Sequence, residues 1–114
     1  MQGFGNLKTK KEATQEAKDL MAAISRGDIS EATRLLALPK LDIEEEINHI
    51  TFLFFAVGIN NGEMVTLLLE AGANPDKLGP MGKRLEEFAR DREKLDALRA
   101  FEKHREAKEA DAAA

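Results

Sequence analysis

The sequence predicts an all-α fold, a short solenoid of stacked helix–turn–helix repeats with helical extensions at both ends. Three observations carry that reading. Cap-forming side chains stand ahead of stretches whose apolar residues recur at helical spacing; glycine or asparagine stands where those stretches stop; and the layout repeats after 33 residues.

Thr9 with Glu12 has the form of a capping box, in which the hydroxyl accepts from the third amide and the carboxylate reaches back, so the first helix is expected to start near Lys10. Ala13, Ala17, Leu20 and Ile24 follow at helical spacing, and Gly27 supplies a left-handed stop. Asp28 with Glu31 repeats the capping-box form and opens a second helix. Its Ile29, Ala32, Leu35 and Leu36 share one face, and Pro39 ends it. The second hairpin has the same layout: Thr51 caps a short helix through Ile59, Asn60-Asn61 take the left-handed turn, and Glu63–Ala71 form a helix stopped by Gly72. Between the hairpins, "KLDIEEEINHI" reads as an acidic, irregular connection. A third unit has no turn glycine, so residues 84–107 read either as a divergent hairpin or as one nearly continuous helix.

The 33-residue shift takes Leu20 to Leu53, Ala23 to Ala56, Gly27 to Asn60 and Leu36 to Leu69, and it takes Ala56 on to Ala89 and Val65 to Leu98. With "T51-F-L53-x-x-A56" followed by "V65-x-L67-L68-L69-E-A-G72-A73-N74", the middle unit resembles an ankyrin repeat. The first unit, "L20-M-A-A23-I-S-R-G27-D28-I29", looks like an amino-terminal ankyrin repeat. The third is similar more loosely and reads as a carboxy-terminal cap. Where the family has Thr-Pro-Leu-His, this chain has Thr51-Phe52-Leu53-Phe54, without the histidine that ties neighbouring turns together. The resemblance implies an extension over 1–9, a repeat domain over 10–101 in units of about 10–43, 44–76 and 77–101, and a charged, Ala-rich tail over 102–114. Repeats of this kind bury their apolar faces only against neighbours, and about three are needed for a stable stack.

Composition narrows the function. At 114 residues, 43% hydrophobic and 33% charged, the chain has room for one domain with one small core. It has no cysteine, which excludes disulfides and thiolate metal sites, and a net charge of −4 gives no basic footprint for nucleic acid. The apolar run Phe52–Val57 is far shorter than the ~18–20 residues that span a bilayer, so no membrane insertion is expected. The amino terminus carries lysines but no apolar stretch, so no secretory signal is read. The expected location is intracellular, in the cytoplasm or in an organelle interior after removal of a transit peptide. Ser25 and Ser30 are explained by helix ends, and the two histidines lie far apart without metal-ligand spacing. No glycine-rich phosphate loop is present. No enzyme activity, cofactor, metal or small-molecule substrate is expected.

Two candidate binding surfaces remain. On a helix from Phe52 to Ile59, Leu53, Ala56 and Val57 take the core positions, leaving Phe52, Phe55 and Ile59 as a second stripe. Three fates fit that stripe: cover by Phe4 and Leu7 or the first helix, cover by a partner protein, or burial in the core. The second surface is the turn "NPDKLGPMGKR", where Lys77, Leu78, Met81 and Lys83 project as a fingertip or Leu78 and Met81 tuck under the next helix. Glu44-Glu45-Glu46 reads as a solvated turn or as a patch for a basic partner. The resemblance implies a non-catalytic module that binds a partner protein through the concave helix face and the inter-repeat loop. The alternative is a small structural subunit held permanently in a larger multiprotein assembly, such as an organellar or photosynthetic membrane complex.

Overall fold

The computed structural model describes residues 12–113, with six α-helices and one short β-hairpin among them. Helix α1 spans Gln15–Arg26 and α2 Ile29–Leu36. The strands β1, Glu46–Ile47, and β2, Ile50–Thr51, follow; then come α3, Phe52–Gly58, and α4, Gly62–Glu70. A 3-10 turn at Pro80–Gly82 precedes α5, Leu85–Asp91, and α6, Leu95–Ala113. The fold is mainly helical, as the sequence predicts.

The first helix starts later than expected. Glu12 to Thr14 precede it, and the side chain of Thr14 caps it by accepting the Ala17 N–H at 3.1 Å. Thr14 is itself held extended, because its N–H and hydroxyl both donate to the Glu45 carboxylate, at 3.0 and 3.2 Å. Thr9 and Lys10, on which the earlier start rested, lie outside the described residues, as do Phe4 and Leu7.

Each helix pair closes the same way. Gly27, Asn60 and Glu93 have φ of 70°, 56° and 58°, and they stand 33 residues apart. The next residue then reaches back: the N–H groups of Asp28, Asn61 and Lys94 donate to the carbonyls of Ala23, Ala56 and Ala89 at 2.9, 3.1 and 2.8 Å. This is a helix ending in which one left-handed residue redirects the chain and satisfies carbonyls the helix would otherwise leave open. Glu93 therefore does what a glycine was expected to do, and the third unit is two helices rather than one. Past Phe101, its last core residue, α6 continues as one helix to Ala113.

The side chains that cap the following helices differ in origin. Asp28 caps α2 through the Glu31 N–H and Asn61 caps α4 through the Met64 N–H, at 3.1 and 3.0 Å. Glu31 does not reach back; its carboxylate pairs with Arg34. Lys94 has no acceptor to offer α6, and the corresponding Ala97 N–H instead donates to the Asn60 side chain, 3.0 Å away. The turn of the second unit thus caps a helix of the third. Close approach accompanies it, since a Cβ at Gly62 would lie 2.7 Å from the Asp96 carbonyl oxygen.

Helices α1, α3 and α5 pack in sequence as one layer, and α2, α4 and α6 as a second layer against it. The core between them recurs with the turns: Ala23, Ala56 and Ala89 are buried, as are Leu35, Leu68 and Phe101. Where Leu20 and Leu53 are buried in the first two units, the third has Glu86, and Arg105 of α6 meets its carboxylate at 2.7 and 2.8 Å. A largely buried carboxylate is tolerable there because it is paired and hydrogen-bonded.

The 39–51 connection is more ordered than the sequence reading has it. Glu46 pairs with Thr51 and Ile47 with Ile50, and Asn48 and His49 have φ of 54° and 67°. Two left-handed residues in a two-residue loop are what a twisted hairpin of this kind requires.

Leu68→Ala is expected to destabilise the domain by roughly 2–5 kcal/mol, because a fully buried leucine leaves a cavity in a small core. Urea unfolding checks it; an unchanged midpoint contradicts the packing. Glu93→Gly is expected to stabilise by about 0.5–1 kcal/mol, since a non-glycine left-handed residue costs more than the chain entropy that glycine adds. A fall in melting temperature contradicts it.

Candidate protein-binding surface

The expected stripe on α3 divides. Thr51 caps α3 through the Phe54 N–H at 3.1 Å, so Phe52 is the first helical residue; it is fully buried, 0% exposed. As a side chain in the first turn it leans back toward the helix start and into the core. Phe52 is therefore removed from the candidate surface. Phe55 is half-buried against the core, and Ile59, the residue that ends α3, is 42% exposed.

Phe54, which the sequence reading left out, is the aromatic residue at the surface depression. Its ring meets Phe88 of α5 edge-on, with centroids 5.3 Å apart and planes at 78°, a favourable quadrupole arrangement. The Arg92 guanidinium lies 5.1 Å from the centroid of the Phe88 ring. Phe54, Thr51 and Leu85 line a depression between the β-hairpin, represented by Glu46 and His49, and the loop that carries Leu78 and Pro80.

That loop is braced from within. Leu78 and Arg84 form an isolated bridge, and the Gly79 N–H donates to the Lys83 carbonyl at 2.7 Å. A Cβ at Gly79 would lie 2.6 Å from a Leu85 methyl carbon, so Leu85 fills the space beneath the loop. Leu78 and Met81 consequently stay outside, 61% and 77% exposed. Met81 has φ of 60°, an uncommon conformation for a non-glycine residue, and Gly82 follows with 70°.

The two lysines of the same loop are engaged. Lys77 stands 3.2 Å from Glu46 and 3.9 Å from Glu44, and Lys83 pairs with Asp91 of α5. The hydrogen bond from Lys83 holds the Asp91 carboxyl below the usual aspartate range, and the same bond pushes the Lys83 ammonium upward. The pair is intact above the ordinary aspartate range, and it is lost as pH falls through the lowered aspartate value or rises through the raised lysine value.

Glu44, Glu45 and Glu46 are neither a free acidic patch nor simply solvated. Glu45 holds Thr14 at the start of α1, Glu44 accepts the Asn74 N–H at 2.7 Å, and Glu46 faces Lys77. Three adjacent carboxylates tie the start of α1 and the segment from Asn74 to Lys77 to the chain at and just before the β-hairpin. Nothing in the sequence signals this use, because Thr14, Asn74 and Lys77 are each about thirty residues away along the chain.

Among the described residues no three His, Asp or Glu side chains are grouped to hold a metal ion, and no helix is long and apolar enough to cross a membrane. No protein-family model matches the chain, and no curated protein matches it in sequence.

Phe52→Ala is expected to cost about 3–5 kcal/mol of folding stability, and Phe55→Ala distinctly less, because only the first is wholly enclosed. Thermal and urea unfolding of the two variants decide it; equal losses contradict the division of the stripe.

Proposed function

We propose that this chain is a short ankyrin-type solenoid that works as a non-catalytic protein-interaction module. The observation that carries the reading is the pair Leu78 and Met81, two large apolar side chains held out of the core on a braced loop. A loop fixed by its own backbone bond and by Leu85 loses little freedom on binding, which is where preorganised surfaces gain affinity. The Phe54 depression lies beside it, with polar side chains on its rim, the arrangement of an apolar centre and wet edge common at protein interfaces. The ankyrin assignment draws its support from three left-handed turns at 33-residue spacing, buried alanines at the same interval, and a β-hairpin ahead of the middle helix pair.

The structural-subunit reading is favoured by a different feature. Leu95 at the start of α6 is 57% exposed and Ile59 at the end of α3 is 42% exposed, so apolar side chains reach solvent away from the loop as well. A permanent assembly covers several such places, whereas an adaptor covers one.

Photo-crosslinking residues placed at Leu78 and Met81, with Thr33 on α2 as a control, test the proposal in the cells that make the protein. Capture of one protein at the loop positions and not at Thr33 supports it. Leu78→Ser with Met81→Ser should then weaken that partner's binding by at least about 1 kcal/mol, the loss of a modest interface anchor, while leaving the melting temperature unchanged. Unaltered affinity overturns the loop as the contact. Crosslinks at Leu95 and Ile59 to several different proteins favour the subunit reading.

A further inference from the structure

Asn61 and Gly62 form an asparagine–glycine pair, and two separate demands of the fold bring them together. Asn61 is the acceptor that caps α4, holding the Met64 N–H at 3.0 Å. Gly62 is required because a Cβ there would lie 2.7 Å from the Asp96 carbonyl oxygen and 3.1 Å from the Asp96 carbonyl carbon. The other two units meet only one demand or neither, with Asp28-Ile29 and Lys94-Leu95 at the same place.

This pair has its own chemistry. With no side chain on Gly62 to obstruct it, the Gly62 backbone nitrogen gives up its proton and forms a bond to Cγ of Asn61. The Cγ–Nδ2 bond breaks, the nitrogen takes up a proton from water, and ammonia leaves. The five-membered imide that remains is opened by one water, at Cγ to give aspartate or at the backbone carbonyl to give isoaspartate. The net change is water in and ammonia out, with no oxidant or reductant.

In the folded chain the parts are held away from that path. Asn61 has φ of −96° and ψ of 94°, its carboxamide oxygen is occupied by Met64, and its backbone carbonyl accepts the Val65 N–H at 3.0 Å. Ring closure needs rotation about the Asn61 backbone and side chain, which breaks both bonds and pushes Gly62 toward Asp96. Next to it, Asn60 fastens the same turn to the Ala97 N–H. The site opens onto a surface groove lined by Arg26, Glu63 and Arg99, so water is at hand and geometry is the barrier.

We propose that Asn61 is a deamidation site kept shut by the packing of α4 on α6, so that the second and third units must part locally before it reacts. The products then differ in consequence. Aspartate still caps α4, whereas isoaspartate adds a methylene to the backbone at the turn and separates Asn60 from Ala97.

The test follows deamidation of the full chain by peptide mass spectrometry in mildly alkaline buffer, folded and in urea, with Asn60→Ala alongside. Modification at Asn61 should be at least about tenfold slower in the folded chain than in urea, because reaction waits on a rare opening. Folded Asn60→Ala should react faster than the folded parent. Equal rates folded and unfolded, or an Asn61 that stays unmodified in urea, overturn the site. A folded Asn60→Ala that reacts no faster overturns the local opening. If Asn60→Ala does not fold, the parent in graded urea below its transition replaces it. There a rate that rises ahead of global unfolding supports the proposal, and one that tracks global unfolding alone overturns local opening.

Discussion

The left-handed turn at Gly27, Asn60 and Glu93 is the interaction on which the rest of the molecule depends. A single residue with positive φ reverses the chain, and the amide after it returns to a carbonyl in the preceding helix, so two short helices are joined at a set angle with no loop to spare. Helices of seven to nine residues such as α2, α3, α4 and α5 are too short to be stable alone. Their stability comes from being fixed at both ends and pressed into one core.

Asn60 extends that local device between units. The same residue that turns the chain also caps α6 through Ala97, while Gly62 lets the backbone of α4 approach Asp96. On the far side of the molecule Glu44, Glu45 and Glu46 tie the β-hairpin to Thr14, Asn74 and Lys77. The second and third helix pairs are therefore registered at one edge by the Asn60 cap, and the β-hairpin edge is registered by carboxylates. The exposed loop with Leu78 and Met81 sits at the carboxylate-tied edge, where individual ion pairs are exposed and contribute little each.

Much of the helical layout was legible because it is written in local chemistry. Gly27, Asp28, Thr51 and Gly72 mark boundaries through backbone conformation and capping, and those signals act within a few residues. The cap at Thr14 was not legible, because Thr14 is held in place by Glu45, 31 residues away. Glu93 was missed for the opposite reason: its side chain disfavours the left-handed conformation, and the packing of α5 against α6 imposes it. The hairpin at 46–51 depends on Asn48-His49, a less familiar pair than Asn-Gly for two left-handed residues. At the candidate surface, spacing alone placed Phe52, Phe55 and Ile59 on one stripe. It could not tell that Phe52 at the start of α3 faces inward and that Phe54 meets Phe88. Leu78 and Met81 were legible as a loop tip, but their exposure depends on Leu85 occupying the space below.

Amide hydrogen exchange at Ala97 and Met64, in the parent chain and in Asn60→Ala, measures most directly whether the turn of one unit fastens the next. The account predicts that Ala97 loses protection in the variant while Met64, capped by Asn61 within its own unit, retains it. Unchanged exchange at Ala97, or equal loss at both amides, would contradict it.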